Sequence, residues 1–167
     1  MRTRLISFFP LILVAFALVA GGRASAQEDP GRSKVGKLEV TVYFATNGDP
    51  AAAGERAQEI SEATQTRLRS EERLKFGHYR ALGADKQAIF RSYENWAQPL
   101  KPSDEILVRF EARTQPEKDS VSLDLELWLA RKKILKTDAV LQPGRPLYVL
   151  GPEWRGGRLI IAVALAS

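Results

Sequence analysis

Asp124 and Glu126 stand two residues apart in a run whose other positions, Val121, Leu123, Leu125, Leu127 and Leu129, are apolar. Such alternation marks a half-buried strand, so both carboxylates share its polar face, about 6 to 7 Å apart by strand rise. That separation is near the range used by paired-carboxylate glycoside hydrolases, so hydrolysis is the first chemistry to weigh. An acid catalyst also needs a desolvated pocket that raises its pKa, which an open strand face does not supply. Cross-strand partners explain both residues without a reaction. A turn over 115–118 would set Arg109 opposite Asp124, and a turn over 131–133 would set Lys136 opposite Trp128. Each such contact contributes about 0.2 to 1 kcal/mol. A glycoside hydrolase is therefore a distant alternative, no catalytic residue is assigned, and the protein is read as a non-enzyme.

Other reactive groupings are sparse. His78 is the single histidine and the chain has no cysteine, whereas metal sites built from nitrogen and sulfur need several such ligands. A nucleophile triad would have to borrow His78 as its base, with no nucleophile motif to accompany it. Asn47-Gly48-Asp49 offers oxygen ligands but is far shorter than a calcium loop and reads as a turn. No metal and no cofactor is expected. Gly151-Pro152-Glu153-Trp154-Arg155-Gly156-Gly157 looks superficially like a phosphate cradle. Phosphate loops open into a helix, while this segment runs into a strand over 158–166, which makes it a hairpin loop. Within it Trp154 either folds back to cap the sandwich edge or is displayed with Arg155 as a contact pair, both being frequent interface anchors. Trp154, Arg155 and Trp128 are the candidate partner-binding residues. Trp128, with Tyr43, would lie on an outer face where an indole can stack on a sugar ring or a peptide.

The elements that would position these residues are mainly β. Residues 37–46 alternate, with Leu38, Val40, Val42 and Phe44 on one face and Glu39, Thr41 and Tyr43 on the other. Residues 55–73 lack a period of two and repeat Ala57, Ile60, Ala63 or Thr64, and Leu68 at helical spacing, which predicts one surface helix. Short strands are expected over 76–82 and 87–93, split by Gly83-Ala84-Asp85, with a third piece over 94–100. The last third alternates clearly: Ile106 to Ala112, Val121 to Leu129, Leu135 to Leu141 and Leu159 to Leu165, with turn signals at Gln115-Pro116-Glu117-Lys118, Arg131-Lys132-Lys133, Gln142-Pro143-Gly144 and Gly151–Gly157. An antiparallel meander with one wet face needs a second layer. The fold class is thus mainly β (α+β), a small antiparallel β-sandwich or open barrel with one helix between the first and second strands, forming a single domain over 37–167.

Upstream, Arg2 and Arg4, an apolar run from Leu5 to Ala20 and then Ala24-Ser25-Ala26 have the order of an export signal cut after Ala26. Pro10, Gly21 and Gly22 interrupt a run already short for a membrane span, so no span is expected after cleavage. Residues 27–36 read as a disordered leader. Removing 1–26 takes Arg2, Arg4 and Arg23 and no acid, so the net charge falls from +5 to +2. Three basic residues at a turn, Arg131-Lys132-Lys133, are no nucleic-acid stripe, so no nucleic-acid partner is expected.

Phe76-x-x-Tyr79 with Leu82-Gly83, Leu141-x-x-Gly144-x-Pro146 with Gly151-Pro152, and Gly157-x-Leu159-Ile160-Ile161-Ala162 resemble a loosely defined group of exported bacterial β-rich proteins. The resemblance covers most of the chain from Leu38 onward. It implies an exported β-rich domain and assigns no activity, cofactor or catalytic residue. The sequence therefore leads to a non-enzymatic envelope protein, periplasmic or extracellular, that docks another envelope protein through a sheet edge or the Gly151–Gly157 loop. A carbohydrate-binding module working through Trp128 or Trp154 is the alternative.

Overall fold

A computed structural model describes residues 29–113 and 120–166. The expected export signal, the start of the leader and the turn Gln115-Pro116-Glu117-Lys118 lie outside the described residues. Eight strands form two antiparallel sheets: β1 (Lys34–Thr46), β2 (His78–Phe90), β7 (Leu147–Trp154) and β8 (Gly157–Leu165) in one, ordered β2-β1-β8-β7, and β3 (Asn95–Ala97), β4 (Ile106–Ala112), β5 (Val121–Leu129) and β6 (Lys132–Leu141) in the other, ordered β3-β4-β5-β6. This is the small β-sandwich the alternation predicts, with helix α1 (Glu62–Ser70) between β1 and β2.

The core is where the two alternating patterns meet. Leu38, Val40 and Val42 of β1 and Leu159, Ile161 and Val163 of β8 face Ile106, Val108 and Phe110 of β4 and Leu123, Leu125 and Leu127 of β5, all essentially without exposure. Burying each such side chain contributes about 1.5 to 3 kcal/mol. The outer face of the first sheet is covered in turn. Leu68 of α1 and Leu74 just beyond it pack on Ala45, Tyr79 and Ile160, and the Tyr79 hydroxyl donates to the Leu74 carbonyl at 2.6 Å and accepts from the Phe76 amide at 2.9 Å. Tyr43 lies under this layer too, so it does not share a face with Trp128 as the sequence suggested.

Several boundaries differ from expectation for local reasons. The helix is nine residues long rather than spanning 55–73. Ser61 caps it by accepting the Thr64 amide at 3.2 Å, and upstream Gln58 exchanges two backbone hydrogen bonds with Ala81 at 2.9 and 2.8 Å. The chain there guards the edge of β2, which outweighs helical propensity. Part of the expected leader has regular structure, since Pro30–Arg32 forms a 3-10 turn and β1 starts at Lys34. Gly83-Ala84-Asp85 does not split two strands: β2 runs through it, with Leu82 bulged opposite the Val42–Tyr43 step. Gly83 serves close approach instead, because a Cβ there would sit 2.2 Å from the Pro99 carbonyl oxygen.

The last hairpin also changes sheets. β7 and β8 join β1 rather than extending the meander, and β7 continues to Trp154. Gly151 and Pro152 together oppose Leu159, a bulge whose Gly151 carbonyl accepts from Arg158 Nη2 at 2.8 Å. The expected seven-residue loop is therefore a two-residue turn, Arg155-Gly156, with φ of +48° and +76°, the conformation that matches strand twist in tight hairpins.

Gly83→Ala is expected to lower stability by about 3 kcal/mol through overpacking against Pro99. Gly144→Ala, where φ is +73° but nothing lies within 4 Å, is expected to cost only about 1 kcal/mol of backbone strain. Urea midpoints of the two variants check this, and equal losses would contradict the close approach.

Candidate recognition surfaces

The second sheet has a different exterior from the first. Its outer face is not covered by α1 and carries Trp96 on β3, Arg109 and Glu111 on β4, Asp124, Glu126 and Trp128 on β5, and Lys133, Lys136 and Asp138 on β6. The register differs from the expected one. Arg109 stands opposite Glu126 rather than Asp124, and Lys133 rather than Lys136 stands opposite Trp128. On β6 the hairpin turns tightly at Ala130 and Arg131, with φ of +46° and +64°, which sets Lys133 opposite Trp128, and a bulge at Ile134 then brings Lys136 opposite Glu126.

Asp124 and Glu126 are only 4% and 5% exposed, so this face is more dehydrated than an open strand face. Their cover consists of long cationic side chains. Arg113 Nη2, Lys136 Nζ and Arg109 Nη1 lie 3.1, 3.3 and 3.6 Å from Asp124 Oδ2. Glu126 Oε1 receives Lys133 at 3.2 Å and Lys136 at 3.3 Å, and its Oε2 accepts from the Trp128 indole N–H at 3.1 Å. The remaining Asp124 oxygen, Oδ1, is buried without a hydrogen-bond partner. Arg113 also reaches Asp138 at 3.4 Å, relieving the like-charge pair Asp124 and Asp138 across the ladder.

Ionised forms are favoured at Glu126, Glu94 and Lys136. For Glu126 the largest single influence, burial, opposes ionisation, but hydrogen bonds from Lys133, Lys136 and Trp128 together outweigh it and hold the carboxyl below its ordinary range. Glu94 is held low first by its hydrogen bond from Arg109 Nε, at 2.6 Å. Lys136 is raised, first by Asp124 and then by Glu126. A glycosidase acid needs the opposite shift, a carboxyl raised towards neutrality.

The hairpin candidates occupy a separate place. Trp154 is half-buried, edge-on to Phe44 with centroids 5.5 Å apart, and so caps the end of the sandwich. Arg155 is exposed, with its guanidinium 4.4 Å above the Trp154 ring. The pair forms a ridge between two concavities. One, of about 490 Å3, is lined by Asn47, Phe76 and Arg158; the other, of about 1100 Å3, runs between residues 53–57, Leu82–Ala84 and the loop over 99–105. Trp154, Arg155 and Trp128 are thus placed at two sites rather than one. Trp96 was missed, although its ring lies 5.9 Å from that of Trp128. A three-residue strand has too few positions to display a period, and only the cross-strand pairing of Trp96 with Arg109 reveals its face.

His78 is exposed on the edge strand β2, and no cluster of three or more His, Cys, Asp or Glu that could hold a metal ion occurs among the described residues. No helix among them is long and apolar enough to cross a membrane. The class defined by these features is an antiparallel sandwich with one helix-covered face and one charged face. Comparison with protein-family models, with curated proteins and with solved structures gives no match.

The directions of these shifts set the pH response. Glu126 and Glu94 have folded pKa values below their ordinary 4.5, so their contribution is complete above that pH and lost as pH falls through the folded values. Lys136 contributes fully below its ordinary 10.5 and loses its contribution as pH rises through its higher folded value. The thermal midpoint is expected to fall on both sides, and Glu126→Gln is expected to flatten the acid limb in circular-dichroism melts. An unchanged acid limb would contradict the pairing.

Proposed function

We propose that this protein is a non-enzymatic, exported envelope domain that docks an extended segment of another protein at the Trp154–Arg155 end. The observation that carries this reading is that both concavities share the Trp154–Arg155 ridge. Leu82, Leu100 and Trp154 supply apolar contact along the larger groove, and Gly54, Gly83, Pro99 and Pro102 bring backbone close to its surface. Arg155 stacks on the indole and forms no ion pair with a carboxylate among the described residues, so its N–H donors remain for a partner's carbonyl or carboxylate groups. Trp and Arg are the residue types that most often dominate such contacts.

Sheet edges support docking less well. The β2 edge is occupied by Gln58 and by the Asn95 amide, which donates to the Ala88 carbonyl at 3.1 Å. β6 exposes Ile134 and Val140 but carries Lys132, Lys133 and Lys136, the usual charge protection of an edge.

Arg155→Asn keeps a residue that tolerates positive φ, so its melting temperature is expected to match that of the wild type. Recovery of the bound envelope protein from extract is expected to fall about tenfold, equivalent to about 1.4 kcal/mol. Equal recovery by both forms would contradict the assignment.

A further inference from the structure

The tryptophans on the charged face form a second surface that the docking groove does not use. Trp96 and Trp128 are inclined at 55° with centroids 5.9 Å apart, making a shallow V. Trp96 is 38% exposed, while Trp128 is half-buried and fixed by its indole bond to Glu126. Beside them Arg109 is held by Glu94 and by Glu111, whose Oε2 accepts from Arg109 Nη2 at 3.1 Å. The V is therefore flanked by donors and acceptors that are already oriented.

Charge narrows what this surface fits. A cationic guest drawn to the indole faces meets Lys133, whose ammonium already sits 5.5 Å from the Trp128 ring centre, and Arg109 opposite Trp96 in the ladder. An anionic guest meets Glu94 and Glu111, both substantially exposed. A purely apolar segment finds, among the described residues, little exposed apolar surface beside Trp96 and the bulged Ile134. A neutral pyranose matches each constraint. Its C–H face carries partial positive charge that complements the negative face of an indole, and its hydroxyls both donate to carboxylates and accept from guanidinium N–H groups.

We propose that Trp96 and Trp128 form the platform of a neutral-saccharide site, with Glu94, Arg109 and Glu111 as its hydrogen-bonding rim. The sugar stacks on the exposed Trp96, and Trp128 acts as the fixed second wall. This site is independent of the hairpin groove, so either can fail without the other.

Isothermal titration with cellohexaose, chitohexaose and oligogalacturonate tests it. At least one neutral oligosaccharide is expected to bind saturably, with oligogalacturonate weaker. Trp96→Ala is expected to weaken that binding about tenfold, as loss of a stacked aromatic contact implies. Trp96→Phe should restore most of it, and Arg155→Asn should leave it unchanged. No saturable binding of either neutral sugar, equal binding by Trp96→Ala, or a preference for oligogalacturonate would overturn the proposal.

Discussion

Asp124 and Glu126 point away from the core and are nevertheless almost withdrawn from water, a state carboxylates tolerate only where opposite charge and hydrogen bonds replace hydration. Arg109 of β4, Arg113 just beyond it, and Lys133 and Lys136 of β6 provide that replacement from both sides of β5. The lattice complements the apolar face beneath it. Slipping β6 by one residue would move every side chain to the opposite face, losing Lys136 from the two carboxylates and Leu135 from the core together. Charge on one side and packing on the other thus select the same register.

Two different exteriors follow from one sandwich. The first sheet buries Ile160 and Ala45 beneath α1, so its outer face is structural. The second relies on ion pairs, which leave a polar and immobilised exterior with tryptophan at its margin. Carboxylates held ionised by lysine and arginine suit a fixed recognition surface better than proton transfer, since an acid catalyst must keep its proton near neutral pH. At the β7–β8 hairpin, Trp154 both closes the core against Phe44 and supports Arg155, so packing and display are combined in adjacent residues.

Much of this was legible because alternation reports directly on burial. The strands around Val40, Val108, Leu125 and Ile161 each show it, and Trp154 and Arg155 stood out beside a glycine pair. The rest depended on contacts between distant residues. Gly83 resembles a turn residue until Pro99 is placed against it. Gly151 and Pro152 conceal the continuation of β7 because a bulge looks like a loop in sequence. The tight turn at Ala130 and Arg131 set the partner of Trp128 and the Ile134 bulge that of Glu126, and Trp96 gained significance only when β3 paired with β4.

The role given to the charged face is tested most directly by following the Glu126 side-chain carboxyl carbon by NMR as pH is varied. A midpoint below the ordinary glutamate value of 4.5 is the result this account requires. A midpoint displaced upward towards neutral pH would show a carboxyl poised to exchange its proton, and would contradict an ion lattice whose purpose is to hold the surface still.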